Sequence, residues 1–359
     1  ELQNHDQDSG EQAYLAACVR LGIVPATFLL SRLSSECLSL RHALLNPASA
    51  VALSEGLSVN RCIKTLNLGS NLLGDKSALT LLEAISGSYS LAKLDLSRNL
   101  LSDKFGERLA RSLSSPLCSL RELVLADNFF TDCFTYLLSK EMATPGVRNA
   151  SPLKNLDVSN NKIRDGSNEA LASILCCCSR LGSLNLSWND LGADPPTDQW
   201  CADRGRNLAA SFNAEKGRSR GVSRFPFVRA ALARPGRLVT LELSFNGLPD
   251  DFGMTVGSML GDNASLAVLD LSRNRLGKSS ALSIAEGLKK NRALRTLKLG
   301  WNDLGRYVRV QHVLESRHIR DNFHSNPRVW RQVSCSVSGS VEHSLGKRIS
   351  SAVGTLTHV

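Results

Sequence analysis

LGSLNLSWNDL, residues 181–191, reads Leu-x-x-Leu-x-Leu-x-x-Asn-x-Leu, and the same eleven-residue frame occurs seven more times in the chain. The other copies are IKTLNLGSNLL from Ile63, LAKLDLSRNLL from Leu91, LRELVLADNFF from Leu120 and LKNLDVSNNKI from Leu153. LVTLELSFNGL from Leu238, LAVLDLSRNRL from Leu266 and LRTLKLGWNDL from Leu294 complete the set. A repeat of this kind decides the fold before local propensity does, because one unit cannot bury its apolar side alone and must stack on its neighbours.

Within the frame, Leu184 and Leu186 alternate with Ser183, Asn185 and Ser187. Period two predicts a short strand with its leucines in a core and its small polar residues outside. Asn189 stands where the chain turns away, and an amide there can bond backbone groups that the turn leaves open. Stacking predicts a structural ladder of Asn71, Asn99, Asn128, Asn161, Asn189, Asn246, Asn274 and Asn302. Their spacing is nearly constant, is slightly stretched before Asn161, and doubles between Asn189 and Asn246.

The second half of each unit has helical spacing. Ala281, Ile284, Ala285 and Leu288 follow one ladder position, and Phe105, Leu109, Ala110 and Leu113 follow another. The expected fold is therefore α/β, a repeat solenoid of one strand and one helix per coil. The pattern resembles the ribonuclease-inhibitor type of leucine-rich repeat. That resemblance implies a horseshoe with parallel strands on the concave face and helices on the convex face.

Upstream, YLAACVRLGIVPATFLLSRL (residues 14–33) predicts one or two short helices around Gly22 and Pro25, an N-terminal cap over the first coil. Leu38 and Leu40 stand one coil length before Leu66 and Leu68 and mark a degenerate first coil, with Ala43 in the ladder position. The organisation read from the chain is a disordered stretch 1–13, a helical cap 14–37 and a solenoid 38–305. An irregular insertion at about 193–224 interrupts the solenoid, and a basic non-repeat tail 306–359 follows it. Glu1 in place of Met leads us to expect that the true N-terminus lies upstream.

Tyr14-Leu15-Ala16-Ala17-Cys18 with Leu21-Gly22-Ile23-Val24-Pro25, followed by a degenerate coil and regular ones, resembles the leucine-rich repeat-containing protein 74 family. It is also similar to the testis-expressed leucine-rich repeat subunit of the ciliary dynein regulatory complex. The similarity runs from about Tyr14 to Gly305 apart from the interruption. It implies an interaction protein without catalytic residues, in the cytoplasm or in a cilium or flagellum, and it carries no family site residues onto this chain.

The interruption is the doubled spacing between Asn189 and Asn246. A second frame would fall near 209–217, but AASFNAEKG does not fit one. Phe225 to Asn246 does fit as the helix and next strand of one coil. Residues 193–234 carry eight Arg/Lys against four Asp/Glu, and 306–359 carry eight against three, so these two stretches hold +9 of the formal +10. With the horseshoe nearly neutral, the basic balance does not argue for nucleic acid or membrane as a partner, and no nucleic-acid module or 18-residue apolar run is present. Both irregular stretches read as translated non-coding sequence, with genuine basic arms as the alternative.

Ten cysteines include the run Cys176-Cys177-Cys178 but no CxxC pair. They are expected to be free thiols in a reducing compartment. No histidine falls between Ala43 and Gly305, which argues against a zinc site, so neither metal nor other cofactor is expected. There is no phosphate loop, nucleophile elbow or HExxH, so no catalytic residue is assigned. Gly253 and Gly257 read as helix packing.

Two sets of outward residues are candidates for partner binding. On the strands, Asp95, Asp157, Glu242 and Asp270 form an acidic stripe with Lys298. Before the ladder asparagines, Trp188, Phe245 and Trp301 are expected to cluster on one rim of the C-terminal half. Exposed aromatics flanked by acids suit an unknown protein partner bearing basic or apolar groups. The function expected is a non-catalytic interaction scaffold. One alternative is a GTPase-activating protein of the Ran type acting on a small GTPase, although those carry an acidic tail and this chain ends basic. Another is a structural ciliary or axonemal subunit.

Overall fold

Each Leu-x-Leu centre of the frame forms a short strand in the computed structural model, which describes residues 9–86, 90–115, 118–147, 151–192, 225–232, 238–304 and 333–334. The strands are β1 Cys37–Ser39, β2 Thr65–Asn67, β3 Lys93–Asp95, β4 Glu122–Val124, β5 Asn155–Asp157, β6 Ser183–Asn185, β7 Thr240–Glu242, β8 Val268–Asp270 and β9 Thr296–Lys298. They lie in sequence order in one parallel sheet, and a two-residue strand β10, Val333–Ser334, pairs beyond β9. The register keeps frame position on frame position: Leu38 pairs Leu66, Leu66 pairs Leu94, and so on to Leu269 and Leu297. The solenoid expected from the frame is the fold.

Helices return the chain between strands. They are α1 Glu11–Leu21, α2 Thr27–Leu33, α3 Pro47–Val59, α4 Gly74–Ile85, α5 Asp103–Ser114, α6 Asp132–Met142, α7 Asn168–Cys177, α8 Pro226–Leu232, α9 Asp250–Leu260 and α10 Lys278–Lys290. In α5 the spacing predicted from Phe105, Leu109, Ala110 and Leu113 is the buried face. Strand leucines, the helix phenylalanines Phe105, Phe134 and Phe252, and Phe130 at the end of its frame fill one continuous core. At Gly257 the backbone of α9 lies against that of α10, and a Cβ there would overlap the Ser283 carbonyl carbon. Gly257 is thus a packing glycine.

Strands β6 and β7 pair directly, Leu184 against Leu241, despite the long stretch of chain between Asn189 and Asn246. Helix α8 sits in that coil with Phe227, Val228, Ala231 and Leu232 buried. The insertion at 193–224, the tail 306–359 apart from β10, and positions 1–8 of the expected disordered stretch lie outside the described residues. Helix α1 begins at Glu11 and β1 at Cys37, so helix and strand reach beyond the cap boundaries read from the sequence. Tyr14 of α1 accepts a hydrogen bond from Ala26 N at 3.1 Å, which ties α1 to the chain entering α2.

The ladder asparagines bind consecutive coils. Asn99 Oδ1 accepts from Asn71 N at 3.1 Å and Leu73 N at 3.3 Å, and its Nδ2 donates to Leu68 O at 2.9 Å and Ser97 O at 3.1 Å. Asn128 does the same for Asn99 N and Leu101 N, each at 3.0 Å. Asn274 accepts from Asn246 N and Leu248 N, and Asn302 from Asn274 N and Leu276 N. Buried backbone donors at the turn are thereby satisfied in the only direction open to them, toward the next coil.

Two further inter-coil devices accompany the ladder. An aspartate four positions after a ladder asparagine opens a helix and accepts from the next coil: Asp75 from Ser102, Asp103 from Thr131, Asp132 from Arg164 N and Ser167, and Asp250 from Gly277 N and Ser280 N. Past the helices, Asn60, Asn263 and Asn291 each donate to a carbonyl of the preceding coil and accept from the backbone leading to the next strand.

Candidate functional site

The residue before each ladder asparagine has a left-handed backbone. Ser70, Arg98, Asp127, Asn160, Trp188, Phe245, Arg273 and Trp301 have φ between 50° and 61°. This conformation lets the residue's N–H continue the sheet's hydrogen bonding past the strand: Trp188 N donates to Ser244 O at 2.8 Å and Arg273 N to Gly300 O at 2.8 Å. Because every coil repeats the dihedral, the side chains stand one above another along the rim of the sheet.

In the C-terminal half this column is a stack. The Trp188 and Phe245 rings lie face to face, with centroids 3.5 Å apart and planes 15° apart. The Arg273 guanidinium lies 4.6 Å from the Phe245 centroid and 4.6 Å from that of Trp301. The three aromatics expected on one rim are therefore joined through Arg273, a residue of the same column that aromatic content alone does not single out. Trp188 is 53% exposed and Trp301 51%.

The acidic stripe is largely engaged with its own turns. Asp95 Oδ1 accepts from Ser97 N at 2.9 Å, Asp157 Oδ1 from Ser159 N at 2.9 Å, and Asp270 Oδ1 from Ser272 N at 3.0 Å and Ser272 Oγ at 2.6 Å. Asn67 and Asn185 hold the equivalent bonds to Gly69 N and Ser187 N. One oxygen two positions before an N–H is all this Asx turn needs, so Asp and Asn serve alike.

Glu242 makes no such turn. Burial pushes its carboxyl above the usual range, Lys298 opposes that rise, and Asp270 and Asp157 add to it. Lys298 Nζ donates to Asp270 Oδ2 at 3.1 Å. Glu242 and Asp270 share coils with Phe245 and Arg273, whereas Asp95 and Asp157 belong to coils whose rim residues are Arg98 and Asn160. Arg41 comes within 4.0 Å of Asp95.

A second outward row follows the first four ladder positions. Leu44, Leu72, Leu100 and Phe129 are all exposed, and the first three have positive φ. The pattern was readable as an apolar residue after each of the first four ladder positions, but the frame ends in Leu and such residues pass for core. Cys176, Cys177 and Cys178 are buried, and burial raises the Cys178 thiol to about 12. Among the described residues no group of three His, Cys, Asp or Glu is placed to hold a metal ion, and no helix is long and apolar enough to cross a membrane.

The leucine-rich repeat model matches residues 59–82 and 262–285, each a ladder turn with the segments flanking it. A comparison with curated proteins found no match. Among solved structures, the chain is similar to an internalin from Listeria monocytogenes at 18% identity and a TM-score of 0.43, covering 81% of this chain and 71% of that one.

Proposed function

We propose that this chain is a non-catalytic interaction scaffold that binds a protein partner along the rim of its C-terminal coils. The observation that carries this reading is the stack of Trp188, Phe245, Arg273 and Trp301, built by four consecutive coils. A left-handed backbone suits Gly, Asn and Asp, and costs a bulky residue about 1–2 kcal/mol. The N-terminal half uses Ser70, Arg98, Asp127 and Asn160 at this position, while the C-terminal half places two tryptophans, a phenylalanine and an arginine there. Neither tryptophan is needed to fill the leucine core, and each leaves about half its surface in water. Trp and Arg are the residue types that most often dominate binding energy at protein interfaces.

The resemblance of the Tyr14–Pro25 cap to a ciliary leucine-rich repeat subunit directs the search for the partner to the cytoplasm of ciliated cells. Affinity capture from ciliated tissue with the full chain, beside the same chain carrying Trp188→Ala and Trp301→Ala, tests the proposal. The expected result is a partner held by the first and lost from the second, with both variants equally folded by circular dichroism. Identical capture by the two would remove the rim as the binding surface.

A further inference from the structure

We infer that Arg273 is the anchor for a carboxylate on an acidic peptide segment of the partner; the inference rests on the rim being the protein-binding surface. Two arginines occupy the left-handed column, and the fold treats them differently. Arg98 Nε meets Asp127 Oδ2 of the next coil at 2.8 Å. The position equivalent to Asp127 beside Arg273 holds Trp301, and the position on its other side holds Phe245. Arg273 has no carboxylate partner among the described residues, and it is exposed.

The geometry also readies it to receive one. Its Cζ lies 4.6 Å from the Phe245 centroid and 4.6 Å from the Trp301 centroid, so rings of the two neighbouring coils hold the guanidinium, while the residue stays exposed. A planar fork of donors matches the two oxygens of a carboxylate, and a fork already held by two rings loses less freedom on binding. The chain supplies its own cation to these aromatics, so the stack is not a vacant cage for a cation from a partner. The surrounding charge favours a monovalent anion over a phosphate. Glu242 and Asp270 lie on the adjoining sheet face, and Lys298 is committed to Asp270.

The span fixes the kind of segment. Adjacent parallel strands are about 4.8 Å apart, so Trp188 to Trp301, three steps, covers about 14 Å, the length of four or five extended residues. The segment that fits carries one Asp or Glu with large apolar residues within two or three positions on either side. Those residues would cover the open surfaces of Trp188 and Trp301.

Display selection of random twelve-residue peptides on the immobilised full chain tests this directly. The expected peptides carry an acid flanked by apolar residues. For the best of them, made synthetically, changing its acid to the matching amide weakens binding at least tenfold. Arg273→Met in the protein weakens binding to the same degree, and combining the two changes costs nothing more. Thermal melting checks that Arg273→Met stays folded. Peptides that bind equally well to the Trp188→Ala, Trp301→Ala chain, or no peptides at all, would overturn the rim reading and the anchor with it. Peptides that need the tryptophans but ignore Arg273→Met would leave the rim standing and overturn the carboxylate.

Discussion

Replacing Asn99 by Ala removes one rung of the ladder, and the cost follows from its four hydrogen bonds. Asn99 is fully buried, at 0% exposure. Two of its partners are carbonyls that keep other donors: Leu68 O still receives Asn71 Nδ2 at 2.7 Å, and Ser97 O still receives Ser70 N at 2.8 Å. The other two partners, the N–H groups of Asn71 and Leu73, have Asn99 Oδ1 as the acceptor that closes their turn. Each buried donor left unsatisfied costs about 1–3 kcal/mol, so the substitution costs about 2–6 kcal/mol, a large share of a typical domain's stability. Asn302 makes the same two acceptances, from Asn274 N and Leu276 N at 3.1 Å each, but it is only partly buried and water can take its place. Asn302→Ala is therefore expected to cost less than half as much. Urea unfolding followed by far-ultraviolet circular dichroism compares the two, with a reduced slope for Asn99→Ala if the coils on its two sides come apart separately. A loss under about 1 kcal/mol for Asn99→Ala, below the cost of even one orphaned donor, would refute the account of the ladder as the inter-coil tie.

Gly257→Ala forces a methyl group into the backbone of α10 and is expected to cost about 1–3 kcal/mol by overpacking, measured by the same unfolding; a neutral result would mean α9 and α10 can separate freely. Two aspartates of the inter-coil series should respond to pH in opposite senses. Burial alone would raise the Asp250 carboxyl, but hydrogen bonds from Ser280 and Gly277 outweigh it and leave it below its usual range. Its stabilising effect is then present above about pH 4 and lost as pH falls, so the deficit of Asp250→Asn against the native chain should shrink toward pH 3. At Asp132 burial leads and the bonds from Ser167 and Arg164 do not fully offset it, so the carboxyl is raised. Its contribution is present at low pH and lost as pH rises through the raised carboxyl's range, so Asp132→Asn should gain on the native chain as pH rises above about 4. Parallel pH profiles for the two variants would contradict these environments.

The strands, the leucine core and the asparagine ladder were legible because the frame repeats them, and register then carries each sequence column into a spatial one. The aspartates at positions 75, 103, 132 and 250 were equally periodic, four positions after a ladder asparagine. They passed unread because an acid at a helix start already has a local explanation in the helix dipole. The Asx turns of Asp95, Asp157 and Asp270 were hidden for the opposite reason. Seen as charges they suggest a stripe for a basic partner, and only the backbone geometry shows that Asn67 and Asn185 do the same work uncharged. Arg273 shares the column that brings Trp188, Phe245 and Trp301 together, but a search for aromatic residues passes over the cation between two of them.

Trp188 and Asn189 show how the turn separates a position free to vary from one that the fold requires. They are neighbours in sequence, yet the left-handed turn sends Trp188 to the exposed rim and leaves Asn189 buried, donating to Val158 O and Leu186 O. What the turn requires of residue 188 is a backbone dihedral and an N–H, and Ser70, Arg98, Asp127 and Asn160 supply these as well as any aromatic does. Stability therefore constrains the ladder column and leaves its neighbour free within the cost of a positive φ. Four consecutive coils have used that freedom to assemble two tryptophans, a phenylalanine and an arginine into one stack. The guanidinium between two rings is attracted to both, so the stack ties neighbouring coils together at the rim while leaving its tryptophans half in water, and the proposed binding surface is this same stack.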